Sequence, residues 1–247
     1  MPDFKPFFPT VTTFIAFIIT ILCLFAGTQK NFLDTVDVLT LYTPETSDAA
    51  HKFYSVHVMS YCQGTLSTPD PGSGASRNVT KCSGRSIPFS FDPTQAWPKE
   101  ITQGPELAWP RVISDDFHAF RLTSQAMAVL YCIGVATMGV VLLVRVWMTL
   151  KPKPQQGLLE FGFLVLGTLS ISIASIIATV LAFEFVALIN AHGKGSKVSA
   201  KYGEKFLGMT WAAVGLLLVG SLASFVNVFV RGSAPTPAPK EAEDAEG

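Results

Sequence analysis

Apolar residues are concentrated in four long runs free of Asp, Glu, Lys and Arg: 6–29, 122–144, 161–183 and 206–230. Each exceeds the roughly 20 apolar residues a helix needs to cross the hydrocarbon of a bilayer. Lipid offers backbone amides no partner, so each run is predicted to be a membrane helix. The first reads PTVTTFIAFIITILCLFAG over 9–27. A cleaved signal peptide competes with this reading. The apolar block is long for one, however, and Cys23-Leu24-Phe25-Ala26-Gly27 is a poor small-residue cleavage site, so a retained span is expected. The second span is predicted over 121–147, bracketed by Arg121 and Arg145. Its helix should begin earlier, with Ser114 as a cap and Asp115 and Asp116 in the first turn, where the helix dipole favours anions. Trp147, Lys151, Pro152 and Pro154 mark its exit at an interface. The third is predicted as one helix over 158–191, about 51 Å long at 1.5 Å per residue. That exceeds a core of about 30 Å, so the helix should project or tilt. The fourth is predicted over 205–230.

Four spans put both termini on one side. Outside them lie a short N-terminal tail (1–8), a large loop (28–120), connectors at 148–157 and 192–204, and a tail over 231–247. The tail is rich in Pro, Ala and acidic residues and should be disordered. Charge alters this picture little. The 18 basic and 18 acidic side chains balance, and all of them lie outside the four runs. That split excludes a single water-soluble domain, and the absence of a basic excess excludes a nucleic-acid partner.

The large loop has strand signals at 36–42, 53–61 and 87–91, each rich in β-branched or aromatic residues. A small sheet resting on projecting helix ends is expected. Asn78-Val79-Thr80 is an N-glycosylation sequon. Cys62 and Cys82 flank it and are the only cysteines outside the spans. In a loop rich in Gly, Ser and Pro they read as a disulfide in an oxidising compartment. Sequon and cysteines therefore place this loop outside the cytoplasm. Basic residues point the other way. Arg145, Lys151 and Lys153 would be cytoplasmic, whereas Lys194, Lys197, Lys201 and Lys205 would be outside, against the usual bias.

The string YSVHVMSYCQG, a second Cys, and then FSFDPTQAW carry a resemblance. They are similar to the fungal four-span family that groups cortical-patch (eisosome-associated) proteins with the pH-response protein PalI. The matching positions are Tyr54, Tyr61, Cys62, Gly64, Cys82, Phe89, Phe91, Asp92, Pro93 and Trp97. A Ser/Ala-rich third span and KYGEKFLGMTWAAVG extend the likeness over about 8–231. The resemblance implies a claudin-like fold: a left-handed, all-α membrane bundle of four helices bearing a small extracellular antiparallel sheet pinned by one disulfide. It implies a loop outside, both termini cytoplasmic, and residence in a fungal plasma membrane. The family often has a Trp shortly before its first Cys, where this chain has Val58 or Met59. PalI-type members have long cytoplasmic tails. The 16 residues after Arg231 fit the cortical-patch branch better.

Small residues recur along two spans. The third has Ser170, Ala174, Ala178 and Ala182, and the fourth has Gly208, Ala212 and Gly215, then Gly220 and Ser224. Such stripes let helices approach closely. They are expected to pack within the bundle, with self-association through an outward stripe as the alternative. Glu160 and Glu184 are expected at interfaces, pairing with Lys201, Lys205 or Arg121. His57 alternates with strand residues and is expected at the surface. No His or Cys pair has metal-ligand spacing. No Gly-x-Ser-x-Gly element, P-loop or dinucleotide fingerprint is present. The expectation is a non-enzymatic protein without cofactor, metal or small-molecule substrate. Its partners would be membrane lipids and, as a homo-oligomer or otherwise, cortical membrane proteins. The resemblance implies organisation of cortical membrane domains. The alternatives are an accessory of ambient pH signalling and a claudin-like role in cell contact or fusion.

Overall fold

In the computed structural model the charge-free runs are helices. The structure describes residues 8–29, 32–42, 51–67, 76–83, 111–150, 156–192 and 198–230. The helices are α1 (Phe8–Phe25), α2 (Arg111–Leu150), α3 (Gln156–His192) and α4 (Glu204–Phe225), the last continued by a π-helical turn over Val226–Val230. All four are long and apolar enough to span a membrane. Their connectivity runs up and down, so α1 packs on α2 and α4, and α3 packs on the same two helices. At 37 residues α3 measures about 55 Å and outreaches the hydrocarbon.

Small residues set the helix spacing. A side chain at Gly134 of α2 would drive into Ile171 of α3, and one at Gly167 would meet Thr137 at 2.8 Å. Ser170, Ala174, Ala178 and Ala182 form a buried stripe along α3, the three alanines fully so. Gly220 of α4 is buried against Thr12 of α1. Hydroxyls within the spans are satisfied locally. Thr20, Thr168, Ser172 and Thr179 each donate to the carbonyl four residues back, at 2.7–2.8 Å. One expectation is corrected here. Gly208, Ala212 and Gly215 do not pack within the bundle: all three are exposed, and nothing lies within 4 Å of a side chain built on either glycine. With a 3.6-residue period, α4 presents this stripe outward while Leu207, Val214 and Leu217 face the core.

A five-stranded antiparallel sheet caps one end of the bundle in the order β4-β3-β2-β1-β5. The strands are β1 (Leu39–Tyr42), β2 (His51–Val56), β3 (Tyr61–Ser67), β4 (Ser76–Cys82) and β5 (Ser199–Tyr202). The single run expected over 53–61 is a hairpin instead. The chain turns at Val58 and Met59, where the His57 amide donates to the Ser60 carbonyl at 2.8 Å. Both turn residues are buried in the main core. β5 comes from the connector between α3 and α4 and pairs with β1 across most of the chain, Leu39 facing Tyr202. The third expected strand, over 87–91, lies outside the described residues, as do both chain ends.

Candidate functional site

Three polar assemblies stand out: one where the sheet meets the helices, one at the sheet's disulfide edge, and one at the opposite end of the bundle. The first is built on Gly27, just past α1. Its φ of +68° suits glycine, and a Cβ there would fall inside the imidazole of His57. The Ser60 hydroxyl donates to the Gly27 carbonyl at 2.9 Å. His57 is 2% exposed, which corrects the expectation of a surface residue. It sits at the hairpin turn, where strand alternation no longer decides which side chains face water. Its Nδ1 donates to the Val36 carbonyl at 2.9 Å, and its Nε2 is buried without a partner. Burial holds the imidazole pKa below its usual 6.5, against the opposing pull of the Val36 carbonyl, Asp37 and Asp34.

Below about pH 6.5 the unfolded imidazole binds a proton that the folded one resists, so stability should fall as the pH drops from 6.5 toward the lowered folded value. The loss is at most about 1.4 kcal/mol per pH unit for one group. Thermal unfolding of the purified protein at a series of pH values checks this. His57→Asn should flatten the profile below about pH 6.5, because the titrating group is gone.

Beside His57, the first strand and the far edge of the sheet are tied together through charge. Asp37 is 4% exposed and accepts a hydrogen bond from the Thr40 hydroxyl. The Arg77 guanidinium lies 3.6 Å from the Asp37 carboxylate, donates to Tyr42 at 2.8 Å and covers the Phe53 ring at 5.4 Å. Next to it Cys62 and Cys82 form a disulfide between facing positions of β3 and β4. The Cys62 sulfur rests 3.2 Å from the Gly27 carbonyl, so the bond sits above the end of α1. β5 is fastened independently. The Asn190 amide of α3 donates to the Ala200 carbonyl at 3.0 Å and accepts from the Ala200 amide at 2.9 Å. Gly203, which precedes α4, donates to Val38 at 2.9 Å and leaves no room for a Cβ against the Asp37 carbonyl.

At the opposite end, Arg145 of α2 donates through Nε to Glu160 of α3 at 2.6 Å and through Nη2 to Ser224 of α4 at 3.1 Å. Arg145 is only 7% exposed. Glu160 thus pairs with Arg145 and not with Lys201, Lys205 or Arg121. The lysines lie at the sheet end, where Lys205 donates to Thr35 at 3.2 Å. The sequence presented Arg145 as a boundary charge, and nothing in its surroundings along the chain marks it as buried.

Tyr61 pairs with Val56 across the hairpin and is half-buried. Gly64 faces Val79 and leaves no room for a Cβ between Phe53 and the Asn78 carbonyl. Asn78 is exposed on β4. Phe89, Phe91, Asp92, Pro93 and Trp97 lie outside the described residues. Glu184 is exposed on α3. Cys23 is buried and Cys132 half-buried within the spans. Among the described residues no group of three His, Cys, Asp or Glu side chains could hold a metal ion.

No curated protein matches the chain. The family model of the SUR7/PalI family matches residues 6–223, an interval that takes in the first three spans, most of the fourth, all five strands and the disulfide. Four membrane-span helices, a disulfide-pinned sheet and that match lead to one conclusion: this multi-pass membrane protein belongs to the SUR7/PalI family.

Proposed function

We propose that the protein is a non-enzymatic component of the fungal plasma membrane that organises lateral domains at the cell cortex, of the cortical-patch or eisosome type. Both termini would be cytoplasmic and the sheet would face the wall, with consequences for endocytosis and wall integrity. Family membership supports this reading. The observation that carries it is the outward face of α4. Gly208, Ala212 and Gly215 form a smooth strip with open space before both glycines, beside exposed Trp211, Leu218 and Leu222. Such a strip lets an acyl chain, a sterol or a neighbouring helix approach the backbone closely. The partners would then be membrane lipids and other cortical membrane proteins, a second copy included. A fluorescently tagged protein should appear in cortical patches, and Gly208→Leu with Gly215→Leu should disperse them at unchanged protein level. A uniform or internal-membrane signal from the unaltered protein would sink the reading.

A second reading, an accessory of ambient pH signalling, is favoured by His57. Its buried, unpartnered Nε2 lies where the sheet rests on α1, so protonation would act on the joint between loop and bundle. Normal growth of a deletion strain at alkaline pH would argue against it. No comparable observation favours a role in cell contact or fusion.

A further inference from the structure

We propose that Asn78 carries an N-linked glycan whose job is to cap the free edge of the sheet and keep the sheets of two copies from pairing edge to edge. This rests on the reading that the sheet faces outside the cell. Among the described residues, β4 has no neighbour beyond it, and it is the longer of the two edge strands, seven residues against four in β5. An edge strand offers unpaired N–H and C=O groups to any other strand, and proteins blunt such edges with short length, charge, bulges or bulk. β5 is blunted by its length and by exposed Lys201. On β4 much of the charge is turned away, because Arg77 is spent on Asp37, Tyr42 and the Phe53 ring. Lys81 is left exposed.

The sequon occupies the middle of this strand and coincides with a bulge. Val79 faces Gly64 and Lys81 faces Gln63, so Thr80 is the extra residue. Its hydroxyl donates to the Gln63 carbonyl at 3.0 Å. Val79 turns inward onto Phe53 and Cys62, while Asn78 and Thr80 on either side of it are both exposed. A sugar on Asn78 therefore meets no packing cost and stands beside the exposed edge. The occupant excluded is a second β4 strand. Copies in one membrane hold their sheets at the same height, so two β4 edges can approach each other laterally.

The test uses the full-length protein made in a eukaryotic host. Endoglycosidase should lower the apparent mass of the unaltered protein and of Thr80→Ser, which keeps the sequon, but not of Asn78→Gln. In detergent, Asn78→Gln and the enzymatically deglycosylated protein should show several-fold more dimer than the glycosylated form. Thr80→Lys, which abolishes the sequon and also places a charge on the edge, should lose the sugar and stay monomeric. Orientation is read separately by labelling Lys201→Cys on intact cells with a membrane-impermeant maleimide. A labelled Lys201→Cys together with no endoglycosidase shift overturns the glycan alone. An unlabelled one overturns the outward orientation and the glycan with it. A shift without extra dimer in Asn78→Gln and in the deglycosylated protein overturns the capping role.

Discussion

Glu160→Ala should cost the folded protein about 3–5 kcal/mol, the usual penalty for leaving one member of a buried ion pair without its partner. The geometry explains the size. Arg145 and Glu160 side chains are 8% and 13% exposed and meet at 2.6 Å, so losing the carboxylate strands a guanidinium whose Nη1 already lacks a hydrogen bond. Ser224 can satisfy only Nη2. Removing both charges is a different matter. Arg145→Met with Glu160→Leu should recover most of the loss, because well-packed apolar groups replace a buried pair at little net cost. Heating the detergent-solubilised variants and measuring the fraction still monodisperse checks both. Equal damage from the single and double changes would show that packing, not charge, dominates this end of the bundle. The triad joins α2, α3 and α4 just before the helical turn widens at Val226–Val230, so its loss should loosen the end that the sheet does not hold.

Cys62→Ser and Cys82→Ser should each destabilise the sheet by about 3 kcal/mol, and the double variant should be no worse than either alone. The estimate comes from closing a loop with a sequence separation of 20, in the chain-entropy account of disulfide stabilisation. Here the bond also joins the edge strand to β3, which lies over the end of α1. Without it β4 keeps its backbone ladder, the Arg77–Asp37 pair and the Thr80–Gln63 bond. Retention of both single variants in the secretory pathway is the expected cellular result. Unchanged trafficking of either would mean that those remaining links suffice.

What could be read along the chain was governed by local rules. A span needs an unbroken apolar run and a self-satisfied backbone, both properties of contiguous residues, so all four helices were legible. The disulfide was legible because two cysteines stood apart from the spans in a loop suited to oxidation. β1 and β2 announced themselves through β-branched and aromatic residues. β4 did not: its sequence, SRNVTKC, is polar because an edge strand must be. β5 is four residues, SAKY, and exists by pairing with β1 far away in the chain. Strand alternation placed His57 at the surface, whereas the fold seats it on Gly27.

The sequence by itself determined a four-span membrane protein with a disulfide-bonded loop outside the spans, since hydrophobic length and thiol pairing follow from residue type. Tertiary structure alone decided which groups are buried together. It matched Arg145 with Glu160 and Ser224, paired β5 with β1 and tied it to α3 through Asn190, and hid His57 behind Gly27. It also turned Gly208, Ala212 and Gly215 away from the core that a small-residue stripe suggested. The physical reason is common to all of these. A stripe or a charge specifies that a partner is needed or tolerated, and the partner's identity is fixed only by the rotation and register of helices and strands distant in sequence.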